Sequence, residues 1–278
     1  MPWAWHPHPD VWLFVAVLAG GYAFAVRRLG PRHVAPGDRA ASPAQVVAYS
    51  LGVFTLWAGA DWPVHDLAER YLYSAHMVQH MLFSLVAPPL LLLGTPGWMV
   101  REMLAPPRVF RVFLRLARPL PALVIFNTVL VLTHWPALVD FTLRVHVAHF
   151  AAHAVLFAAA LLMWCPVVAP LPELRISPPA QILYLFLQSI VPTVPASFLV
   201  FGEHPLYHFY ETVPRLWALS AGEDQRIAGL LMKLGGGFLL WAIITVLFFR
   251  WHAEAEAADR EARHWEALEA ELDAMNPK

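Results

Sequence analysis

Residues 71–94 read YLYSAHMVQHMLFSLVAPPLLLLG, and this stretch decides the fold. It contains no Asp, Glu, Lys or Arg. A helix needs about 20 apolar residues to cross a ~30 Å hydrocarbon core, so the stretch reads as a membrane span. His76 and His80 stand near its start, one helical turn apart on one face. An imidazole is costly in lipid unless it has a partner, so the pair marks a candidate metal or haem site. Pro88 and Pro89 remove helix donors and predict a bend or an end to the span.

The whole chain has the same character. It has 278 residues, of which 59% are hydrophobic and 14% charged, with a mean hydropathy of +0.53. A soluble domain carries roughly 25% charged residues, so this balance is that of an integral membrane protein. The net charge of -1 implies no nucleic-acid partner. A single cysteine, Cys165, excludes a disulfide framework, a thiolate zinc site and an iron–sulfur cluster. Met1-Pro2-Trp3-Ala4-Trp5-His6 lacks the basic region of a cleaved signal peptide, so the first helix is expected to stay.

Seven spans are expected: Val11–Val26, Ala44–Ala60, Tyr71–Leu93, Leu120–Thr133, Val145–Trp164, Pro179–Phe201 and Ile227–Phe249. The fourth is the shortest and could begin within Pro119-Leu120-Pro121. Arg27, Arg28, Arg32 and Arg39 fill one connection, and Arg101, Arg108, Arg111, Arg115 and Arg118 another. Connections rich in Asp and Glu alternate with them. The positive-inside rule then gives an all-α seven-helix bundle with the N-terminus outside and the C-terminus cytoplasmic. Arg108, Arg111, Arg115 and Arg118 step by 3, 4 and 3, which predicts an interfacial helix with its guanidinium groups on one face. The domain division is residues 1–249 for the spans and 250–278 for an acidic helical tail in the cytoplasm. Asp224 is expected to cap the last span. Lys233 either snorkels or pairs with a carboxylate such as Asp224.

Of fourteen histidines, eleven fall on the outer side in this topology; only His33, His252 and His264 do not. His149 and His153 repeat the spacing of His76 and His80. At 1.5 Å per residue, the two pairs come within about one turn of the same depth on parallel helices. If their faces meet, four imidazoles converge as ligands. His146 extends the second pair toward the surface, and His134 ends the fourth span; both are candidates to guide an ion in. Met77 and Met81 flank the first pair, and imidazole with thioether favours Cu(I). Met77 therefore joins the candidate set, although on an ideal helix it points about 100° from His76 and also suits core packing. Copper, zinc or haem iron all suit imidazole alone. No Glu lies inside either pair, so the general-base logic of zinc proteases fails and no catalytic role is expected.

His76-Met77-Val78-Gln79-His80-Met81-Leu82, running into Ala87-Pro88-Pro89-Leu90-Leu91-Leu92-Leu93-Gly94-Thr95-Pro96, resembles the signature of the CtaG family of bacterial membrane proteins. Trp5-His6-Pro7, His149 and His153 with Trp164, and Asp224-Gln225 with Gly229 and Met232 extend the resemblance over nearly the whole chain. Lys233 departs from it, standing where an aromatic residue is expected. The resemblance implies a multi-pass protein of the bacterial plasma membrane. It also implies a role in assembling haem–copper cytochrome c oxidase, by handling copper as Cu(I) or Cu(II). The partners it implies are oxidase subunits, the lipid bilayer and an outer-side copper donor. A haem-binding redox protein using the same histidines, and a scaffold without metal, are the alternatives.

Overall fold

The computed structural model describes residues 4–275. Residues 1–3, on which the reading of an uncleaved N-terminus partly rests, and residues 276–278 of the tail lie outside the described residues. Helices and their connections make up everything described, with no strand among the described residues. In chain order the helices are α1 (Pro9–Arg32), α2 (Pro43–Ala60), α3 (Val64–Arg70), α4 (Tyr73–Gly94), α5 (Gly97–Met103) and α6 (Pro107–Leu116). There follow α7 (Pro119–Thr133), α8 (Pro136–Arg144), α9 (His146–Val168), α10 (Pro178–Phe201) and α11 (His208–Thr212). The last helix, α12, starts with Ala221–Leu230 and runs on through Leu231–Gly235 and Gly236–Met275. Prolines start many of them: α1, α2, α6, α7, α8 and α10 each carry one in the first turn. There the missing N–H has no intrahelical acceptor to lose, and the fixed φ suits a helix.

All seven segments expected to span are helical. Five helices, α1, α4, α9, α10 and α12, are long and apolar enough to cross a membrane. The pair α6 and α7, bent by 77°, makes a sixth if counted as one span. The chain is therefore a multi-pass membrane protein. The remaining segment, α2, has 18 residues, and Gln45, Tyr49, Ser50 and Trp57 dilute its apolar character. By itself α7 has 15 residues, roughly 22 Å of helix. It begins at Pro119, within the proline cluster flagged as its start.

Helices α4 and α9 are the most enclosed, whereas α1 rides on the flank of the bundle. The end of α4 packs tightly on α2: a Cβ at Gly94 would overlap the backbone of Tyr49, so only glycine fits there. Tyr22 of α1 donates to the Gly94 carbonyl at 2.9 Å. The double proline does not end α4, which passes through a π turn at Leu82–Val86 and continues to Gly94. Pro88 has no N–H for the Ser84 carbonyl. The Trp164 indole of α9 donates to that carbonyl instead, at 2.9 Å.

Three expectations need correction. Ser220 caps α12, with Glu223 completing a capping box; Asp224 lies a turn inside and acts on another helix. Of the two readings of Lys233, the carboxylate pair is the one overturned: the side chain donates to Thr193 Oγ1 at 2.5 Å and is exposed, as a snorkelling side chain is. Arg118 leaves the face of Arg108, Arg111 and Arg115, because α6 stops at Leu116 and Arg118 becomes the N-cap residue of α7. Pro119 and Pro121 set that boundary. The tail continues α12 without a break at residue 249 and is exposed there.

Candidate metal centre

The first turn of α4 is fixed from outside its own sequence. Its N-cap residue, Leu72, has no side chain to satisfy the free N–H groups. Asp224 of α12, fully buried, does so across the bundle. Its carboxylate accepts from the Tyr73 N–H at 2.6 Å and the Ser74 N–H at 3.0 Å. His76 and His80 follow on the next two turns, both buried. Ser84, one turn on, donates its hydroxyl to the His80 carbonyl at 2.6 Å. Helix α9 starts at His146 and carries His149 and His153 down the face turned to α4.

The two pairs meet. Ring centroids are 4.4 Å apart for His76–His80 and for His149–His153. Across the helices they are 5.5 Å apart for His76–His149, 5.4 Å for His76–His153 and 5.0 Å for His80–His153. His76, His149 and His153 each offer a ring nitrogen, and these nitrogens lie within 4.8 Å of one another. Nε2 of His149 faces Nε2 of His153 at 2.9 Å, so one proton at most can lie between them.

His134 also joins, its ring 5.4 Å from that of His80. Its Nδ1 lies 2.7 Å from the Leu130 carbonyl, which only an Nδ1–H can satisfy. Nε2 is thereby left as a lone pair. Tyr207 donates to the His134 carbonyl at 3.0 Å and accepts from the Tyr73 hydroxyl at 3.3 Å. Met77 is buried in the main core and lines a cavity of about 50 Å³ shared with His80 and His134. His146 is exposed at the head of α9. His204 and His208 are exposed as well, and His208 pairs with Glu211 at 2.6 Å.

Sequence reasoning missed the shell around the centre. Helix α3 brings His65 and Glu69 over it. Glu69 Oε1 lies 3.2 Å from His149 Nε2 and 3.4 Å from His65 Nε2. Gln79, between the first two histidines, donates to the Gly59 carbonyl at 2.9 Å and to His65 Nδ1 at 3.1 Å. That bond leaves the His65 proton on Nε2, aimed at Glu69. Burial, and then the charge of nearby His8, lower the His65 pKa to about 4. Burial raises that of Glu69. Nearer the chain start, His6 and His8 each stand 3.1 Å from the Asp66 carboxylate, with Arg70 at 3.4 Å. The i, i+4 spacing of His65 and Glu69 was the available signal.

The arrangement suits a cation. Imidazoles supply neutral donors, and Glu69, which reaches the same His149 nitrogen that faces His153, is placed to join them as a ligand. The only cysteine is buried away from this cluster, its thiol donating to the Leu161 carbonyl at 3.2 Å. No curated protein and no solved structure matches the chain. The sequence profile of the cytochrome c oxidase caa3 assembly factor family matches residues 20–254, and the chain belongs to that family.

Proposed function

We propose that the histidine centre binds copper as a cargo and delivers it to the oxidase during assembly. One observation carries this reading. Four buried imidazole nitrogens, His76 Nδ1, His80 Nδ1, His134 Nε2 and His153 Nδ1, have no hydrogen-bond partner among the described residues. A buried polar atom without a partner costs roughly 1–3 kcal/mol. Four in one histidine cluster are best accounted for by an ion that uses their lone pairs. Imidazole sites without thiolate suit copper. Rings in mutual contact leave no slot for a porphyrin, which favours a single ion over haem. Membership of an assembly-factor family supports a role in assembly rather than in catalysis.

The same reading includes seven spans, with α2 and α7 crossing as short members of the bundle. The arginines of α5, α6 and the end of α1 lie at the end away from the histidines, which by the positive-inside rule turns the histidines outward. The helical tail after residue 249 then projects into the cytoplasm. An outer-side donor would load the centre, and an oxidase subunit would receive the ion.

The test is a spectrum and an elemental analysis of the purified protein. Stoichiometric copper without a Soret band is expected, and His149→Ala should abolish most of the binding. A Soret band, or the same copper content in His149→Ala, overturns the proposal.

A further inference from the structure

We infer that the cavity beside the histidine centre is a second and softer metal subsite, which takes Cu(I) or its chemical stand-in Ag(I). The cavity, about 50 Å³, has His80 and His134 in its lining and lies among α4, α7, α9, α10 and α12. A water needs roughly 10–15 Å³ of such space, so an ion fits. Four of the chain's eight methionines line it: Met77 and Met81 from α4, Met163 from α9 and Met232 from α12. Thioethers are neutral, carry no proton to displace, and prefer soft monovalent ions over hard divalent ones.

Methionine is also a common core filler, and Met77, Met163 and Met232 are buried. Packing does not account for the imidazoles that share the cavity. His134 Nε2 and His80 Nδ1 are buried and have no partner, and both residues line the space. The bond from His134 Nδ1 to the Leu130 carbonyl, 2.7 Å, holds the ring with that lone pair free, as the outer partner of a ligating histidine does. Thioethers from three helices thus line one cavity with imidazole nitrogens that lack a partner among the described residues. Lys233 lines it too, but its side chain is exposed and its ammonium is held by the Thr193 hydroxyl. His80 stands between this set and the upper one of His76, His149 and His153, and so joins the two. The inference deepens the copper reading, on which the identity of the cargo rests, yet the two sites can be tested apart.

Full-length protein in detergent is titrated separately with Ag(I) and with Co(II), a probe that favours the imidazole set. Met77→Leu/Met232→Leu keeps core volume nearly constant. This variant should bind Ag(I) at least about 10-fold more weakly while its Co(II) binding stays unchanged. His149→Ala should do the reverse. X-ray absorption at the silver edge of the parent protein needs no variant and should show sulfur neighbours. A shell of nitrogen alone, or undiminished Ag(I) affinity in the double variant, overturns the inference. Sulfur neighbours around Ag(I) in a parent protein that fails to bind Co(II) would sink the upper site and leave this one standing.

Discussion

Asp224→Asn should destabilise the protein by about 2 kcal/mol and loosen the histidine centre with it. The two carboxylate oxygens accept from Tyr73 and Ser74 at 2.6 and 3.0 Å, and the residue is fully buried. Asparagine keeps one acceptor and turns an NH₂ donor toward the other N–H. An N–H left unpaired in the interior costs roughly 1–3 kcal/mol. Loss of the negative group from a helix N-terminus adds about 0.3–1 kcal/mol. Against this, asparagine avoids the cost of burying a carboxylate, which can exceed what the carboxylate's bonds return. The sum stays near 2 kcal/mol because both oxygens are engaged at short distance by donors that have no other acceptor. SDS titration in mixed micelles, followed by circular dichroism, measures the change. Co(II) absorption reports whether His76 and His80 still meet His149 and His153. A change below roughly 0.5 kcal/mol, the size of an ordinary surface substitution, would refute the reasoning. An increase in stability would show that the burial cost dominates.

Glu69→Gln should weaken copper binding about 10-fold or more through loss of the carboxylate oxygen beside His149 Nε2; unchanged affinity in a competition assay with a copper chelator would detach α3 from the site. Copper affinity should fall in acid, since a ligating imidazole must be neutral and protons compete for its lone pair. Burial disfavours the charged imidazole, so the fall should begin below the ordinary value of about 6.5; with several imidazole ligands it is steeper than for one, and a profile still flat from pH 6 down to about 3.5 would argue against an imidazole-dominated site. A reporter fused after Met275 should be active only in the cytoplasm; activity on the outer side would force a recount of α2 and α7.

The helical segments and the meeting of the two histidine pairs were legible because both depend on spacing along single helices. Apolar length marks a span, and an i, i+4 pair shares a face wherever its helix goes. The shell was not legible because it is tertiary. His65 and Glu69 sit on a seven-residue helix and reach the centre only through the packing of α3 on α4. Asp224 lies 151 residues from the N–H of Tyr73 that it satisfies, and nothing local distinguishes that use from capping its own helix. A helix turns Met77 away from His76, its neighbour in sequence. The relevant neighbour is His80, three residues on and on the same side, and the two line one cavity.

The double proline has a larger part in the site than a bend would suggest. Pro88 withdraws a hydrogen-bond donor one turn below Ser84, and an unpaired carbonyl in a membrane protein's interior is costly. Trp164 supplies the donor from α9, the helix that carries His149 and His153. Ser84 in turn returns its hydroxyl to the carbonyl of His80. The break in α4 therefore creates a bond to the opposing helix directly below the last histidine of the pair. Asp224 holds the same helix at its start. With α4 fixed above and below, little freedom remains for the rings of His76 and His80 to move away from those of α9. The proposed binding and release of an ion would gain from such a frame, because the ligands would keep their positions when the ion has gone.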